Sequence, residues 1–217
     1  MAIDRWTDSS HVHLAAVKAL CDHWSTYSGA SGELADDPFR PARLPASPTA
    51  FDGPLDALPT DGDIYDHAPL LDEASGFGAV PWLAVSITSE TDAGQAYDNQ
   101  QKTVDVTIEV RARYGFDGAG QAARASRVTS RGYALFCARA AQRCIACELA
   151  STAADLDPDT GDGNHAFGVF TCEAIGPVVA DVSPTLPASG QGSGFFDATA
   201  TVVIRQMQFR PSGTVGT

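Results

Sequence analysis

Between Thr103 and Tyr114 the chain alternates without a break. Val104, Val106, Ile108 and Val110 are apolar, and Asp105, Thr107, Glu109 and Arg111 between them are polar. Neighbouring side chains on a strand point to opposite faces, so this period of two describes a strand with one buried and one wet side. The chain must therefore build a sheet with something packed against one face of it. The run Pro81–Thr88, rich in strand formers, supplies a partner, and the two predict an antiparallel hairpin with a long tip over 89–102. A second pair follows further on. Ala166–Ile175 and Asp197–Phe209 read as strands, and the segment 176–196 between them is rich in Pro, Gly and Ser, which suits a long tip.

Two helices accompany these strands, and the longer is expected to pack with a sheet or another helix. The first runs near Ser10 to Tyr27, with Asp8, Ser9 and Ser10 offering an N-cap oxygen and Gly29 and Gly32 ending it. Leu14, Val17, Cys21 and Trp24 recur at spacings of three and four, which predicts a docking face. The second and longer helix spans about 120–150. Ala122, Ser126, Thr129, Tyr133, Phe136, Cys137, Ala140, Cys144 and Cys147 fall on one side of it, and these are mostly small residues that allow close approach. Arg124, Arg127 and Arg131 cluster opposite, with Arg139 and Arg143 flanking. The fold class is α+β: a mixed or antiparallel sheet of two long-tipped hairpins packed with one long helix, plus an N-terminal helix.

Residues 28–80 break the pattern. Pro38, Pro41, Pro45, Pro48, Pro54, Pro59 and Pro69 interrupt any helix, and eight aspartates between Asp36 and Asp72 keep the stretch solvated. Phe39, Leu44, Phe51, Leu55, Leu58, Ile64, Leu70 and Leu71 are spaced along it as single anchors. A disordered linker has fewer such anchors. The segment reads as an extended arm lying on its own domain or on a neighbouring subunit, within a single domain covering 1–217.

Charge narrows the function classes. The formal net charge is -13, and a surface of that sign repels nucleic-acid phosphates, which argues against sequence-specific DNA binding. Residues 1–80 hold 13 acids and 4 bases, while 81–217 hold 14 acids and 10 bases, five of these between Arg124 and Arg143. No run of 18 apolar residues is present, so no membrane-spanning helix is expected. The opening MAIDRWTDSS has no signal-peptide pattern, which predicts a chain used in a cytoplasm or in a particle assembled there. Five cysteines without a signal peptide predict free thiols.

Constellations with chemical potential are weak. Cys144 and Cys147 form a CxxC pair, but late in a helix and without a second pair, so burial as small apolar residues together with Cys137 is the expectation. Asp155, Asp157, Asp159 and Asp162 resemble a cation loop in composition, yet Gly161 and Gly163 are out of register and no glutamate closes the twelfth position. His11 and His13 do not share a helix face. GxSxG, P-loop, GxGxxG and HExxH motifs are absent. No enzyme, metal or cofactor is expected.

The order of elements, carried by Thr103–Tyr114, Arg131–Arg143 and the closing strand within Phe195–Pro211, resembles phage tail terminator and head–tail joining (neck) proteins. The resemblance covers roughly residues 8–27 and 81–211, and the arm at 28–80 is an excess over the usual member. It implies a structural virion protein assembled in the host cytoplasm, a hexameric homo-oligomer ring that passes DNA non-specifically through its lumen and contacts neighbouring neck or tail proteins. Arg124, Arg127, Arg131, Arg139 and Arg143 are its candidate interface residues. A tail tube or decoration protein, or a small ligand-binding or enzymatic α+β domain with the arm as lid, are the competing readings.

Overall fold

The computed structural model describes residues 8–29, 31–37, 58–59, 63–67, 81–93, 101–116, 120–155, 169–182 and 194–209. The elements are α1 (Ser9–Ser28), β1 (Ile64–Tyr65), β2 (Trp82–Asp92), β3 (Gln101–Phe116), α2 (Gly120–Asp155), β4 (Val169–Val182) and β5 (Gly194–Phe209). They form an α+β fold. The sheet order is β1-β2-β3-β5-β4. The two hairpins join through their second strands, since β3 and β5 pair antiparallel along their full lengths, Gln101 opposite Phe209 and Phe116 opposite Gly194. β1 pairs parallel with β2, so the sheet is mixed.

The alternating run governs which face is covered. Val104, Val106, Ile108, Val110, Ala112 and Tyr114 are buried, and β5 answers with Phe196, Ala198, Ala200, Val202 and Ile204. Among the described residues, both helices lie on this side. α2 packs along β3, β5 and β4, and α1 sits beside α2 toward β2. Tyr133, Phe136, Cys137, Ala140, Ala141 and Cys144 form the inward face of α2.

Several expectations are corrected. In α1 the inward face is Val12, Ala16, Ala19, Leu20, Trp24 and Tyr27, while Leu14 is 53% exposed and Val17 and Cys21 are half-buried. Small alanines let α1 approach α2 closely; Leu14 turns outward, while Val17 still packs against the margin of the core. Cys147 is exposed rather than buried. A straight helix drifts about 20° per heptad, and beyond Cys144 the covering elements no longer close over this row. The strands are longer and the tips shorter than expected. β2 reaches Asp92 and β3 starts at Gln101; β4 runs from Val169 through Gly176 and Pro177 to Val182. Two register shifts, at Cys172/Ala174 and Ile175/Val178, absorb that Gly-Pro pair. α2 continues to Asp155; the rest of the acidic loop after it lies outside the described residues, as do the side chains of Ala122, Ser126 and Thr129.

The described parts of the proline-rich stretch pack on their own chain. Trp24 Nε1 donates to the Pro59 carbonyl at 2.7 Å, and Leu58 and Ile64 are partly buried against the core. The sheet edge gains β1 from this segment.

Candidate interface surfaces

The five arginines do not act as one group. Arg139 pairs with Asp37, whose side chain is almost fully buried, and Arg143 Nε donates to Glu33 Oε1 at 2.7 Å. Both acids belong to the segment that leaves α1, so these two arginines hold it on the outer side of α2 within one chain. The Glu33 carboxylate also raises the Arg143 guanidinium above its ordinary range. Arg131 is exposed. Arg124 and Arg127 lie on the same helix, and their side chains are outside the described residues.

The face of the sheet opposite the helices is polar and internally paired. Arg113 donates to both Asp197 oxygens at 2.6 and 2.7 Å. Its guanidinium stacks 4.9 Å from the Trp82 ring and 5.4 Å from Phe195, and Tyr65 meets Trp82 edge-on. This clasp ties β1, β2, β3 and β5 at one end. At the other, Arg205 donates to both oxygens of Asp105 at 2.8 and 3.1 Å and pairs with Glu173 on β4. Bidentate pairs of this kind are stronger and more directional than single contacts. Sequence reading missed both, because the cross-strand positions become visible only once the β3–β5 register is known.

Both outer edges carry guards against strand addition. On β2, Glu90 and Asp92 stand opposite the buried Val106 and Val104, so they occupy the helix-side positions of a strand whose end, 88–92, is exposed. Charges pointing that way on an edge discourage pairing with another chain. On β4, Pro177 lacks an N–H and two bulges distort the ladder. Nearer the start of β2, His13 Nε2 lies 3.0 Å from the Val85 carbonyl, covering the next group beyond β1.

Exposed large hydrophobic residues, among those described, are Leu14, Ile175, Val179 and Met207. Leu14 is on α1; the other three run along β4 and its neighbour β5.

The thiols divide by environment. Burial pushes Cys137 up to about 12 despite its contact with the Tyr114 hydroxyl at 3.3 Å, and burial raises Cys144, whose Sγ donates to the Ala19 carbonyl. Cys147 and Cys172 are exposed. Among the described residues no group of three or more His, Cys, Asp or Glu side chains is placed to hold a metal ion, and no helix is long and apolar enough to cross a membrane. No protein-family model matches the chain, and no curated protein matches it.

Proposed function

We propose that the protein is a structural subunit of a tailed-phage virion that forms a hexameric ring at the head–tail junction, with DNA passing through the lumen. The observation that supports this reading is the architecture. A long and a short helix cover one face of a sheet made from two hairpins, in the element order of the neck and terminator proteins that the sequence resembles. The opposite sheet face carries charges paired in place, Arg113 with Asp197 and Arg205 with Asp105 and Glu173. An acidic subunit suits a channel in which DNA must slide rather than bind, since it offers phosphates no net attraction. Because the edges are guarded, the ring contacts in this reading are made by side chains on faces and flanks.

The test is to label the chain in virions of the phage that encodes it and image them by electron microscopy. Label confined to the head–tail junction is the expected outcome. Label along the tail would point to a tube protein and label over the capsid to a decoration protein. Absence from the particle would sink the virion reading altogether.

A further inference from the structure

On α2, Arg127, Arg131, Leu135, Arg139 and Arg143 follow one another at intervals of four. Residues four apart on a helix are neighbours, ~6 Å apart along its axis, so these positions form one inclined row. The row is occupied at one end and open nearer the other. Arg139 pairs with Asp37 and Arg143 with Glu33, both acids belonging to the segment that leaves α1. Leu135, in the middle of the row, is half-buried. Arg131 is exposed and pairs with no acid among the described residues.

The occupied end shows what the row accepts. Glu33 and Asp37 are themselves four residues apart. The chain between them is wound in turns, with the Ala35 amide donating to the Gly32 carbonyl and the Asp37 amide to the Leu34 carbonyl, each at 3.0 Å. Two carboxylates therefore meet two guanidinium groups pairwise and in antiparallel order, Glu33 at Arg143 and Asp37 at Arg139. Leu34, between the acids, packs against the core. The order of the pairs points past Asp37 toward Leu135 and Arg131, yet residues 38–51 hold Arg40 and Arg43 and no acid. The chain's own segment thus supplies carboxylates for half of the row.

We infer that the open half of this row docks an acidic, turn- or helix-forming segment of a partner protein, with carboxylates four residues apart. This deepens the reading of these arginines as interface residues by naming the partner's chemistry, and it stands on the single chain, with or without a ring. The planar guanidinium fork suits a carboxylate. A short segment meets the row alone, and the rest of the net charge of -13 is screened beyond ~8 Å at physiological ionic strength. A DNA duplex carries a charge every ~1.7 Å of its axis. It extends past the row and lies against the acidic remainder as well, so the acidic peptide is the better fit.

The experiment titrates the full chain into a fluorescein-labelled peptide made of three copies of the Glu-Leu-Ala-Asp-Asp sequence of residues 33–37. Anisotropy is followed up to about 1 mM protein, which fills even weak contacts. The parent should bind this peptide and should not bind one with Gln and Asn in place of the acids. Arg131→Glu changes an exposed side chain, so circular dichroism and melting should match the parent, while binding weakens about tenfold because a like charge now faces the peptide. Glu33→Gln frees Arg143 and should strengthen binding about two- to fivefold, the effect of one exposed pair. No binding by the parent, equal binding of the neutral peptide, or unchanged affinity in either variant would overturn the inference, as would tighter binding of a labelled DNA duplex of equal charge. Peptide binding by a chain that never assembles would support this dock while counting against the ring.

Discussion

Asp8 shows how a single side chain sets the start of α1. Its carboxylate accepts from the Ser10 amide at 2.9 Å and from the Ser10 hydroxyl, while the Asp8 amide donates to His11 Nδ1 at 3.1 Å. The Ser10 hydroxyl, then the Ser10 amide and His11, hold the Asp8 carboxyl below its ordinary 3.8 against the opposing effect of burial. A group depressed on folding contributes its stability above the unfolded value and loses it as pH falls through the folded one. The cap should therefore weaken only below about pH 4. Asp8→Ala should cost about 1 kcal/mol at neutral pH. Asp8→Asn should keep most of the cap and remove its acid sensitivity, both read from urea melts between pH 3 and 7. A difference between parent and Asn variant that stays constant over that range would contradict this account. The cap was legible because Asp-Ser-Ser precedes a helical pattern. Cys147 was misplaced because residue type and helical spacing do not reveal where a covering layer ends.

At the level of elements, Gln142 joins α2 to the irregular part of the sheet. Its Nε2 donates to the carbonyls of Gly176 and Thr201 at 2.9 and 2.8 Å, at the site where β4 skips register. A Cβ on Gly176 would lie 2.1 Å from Thr201 Oγ1, so a larger residue there would force the Thr201 side chain to turn. Gln142→Leu should destabilise the protein by about 1–3 kcal/mol by leaving two carbonyls without this donor. Hydrogen exchange should locate the loss in β4 rather than in α1; uniform loss or none would argue against this role for the amide. The strands and long helix were readable from period two and helical spacing, and the α+β class followed from their order. The joining of the hairpins through β3 and β5 was not, because antiparallel pairing between distant segments leaves no local mark. Nor was β1, whose two residues are too few for any periodicity to register. The α1 face was misread at Leu14 by weighting it over Ala15, Ala16 and Ala19, although small side chains permit the closest packing; Val17 and Trp24 of the expected face do pack on the core.

For the whole molecule, the arginines of α2 fall into two groups. Arg139 and Arg143 hold the chain leaving α1, whereas Arg131 faces outward in the first half of α2, next to Ser130, which donates to the Gly115 carbonyl. On the proposed ring function, we expect Arg127→Glu with Arg131→Glu to leave the fold unchanged and to weaken particle assembly at low salt, with a smaller effect at high salt, because exposed charges are screened beyond ~8 Å at physiological ionic strength. Assembly yield followed across salt concentrations checks this, and unchanged yield at low salt would mean that the basic face is only solvated. The guarded edges bear on how the free chain behaves. Pro177, the two bulges and the inward acids of β2 deny an incoming chain a backbone template. A concentrated solution of the chain should therefore resist the edge-to-edge strand addition that seeds irreversible cross-β fibres.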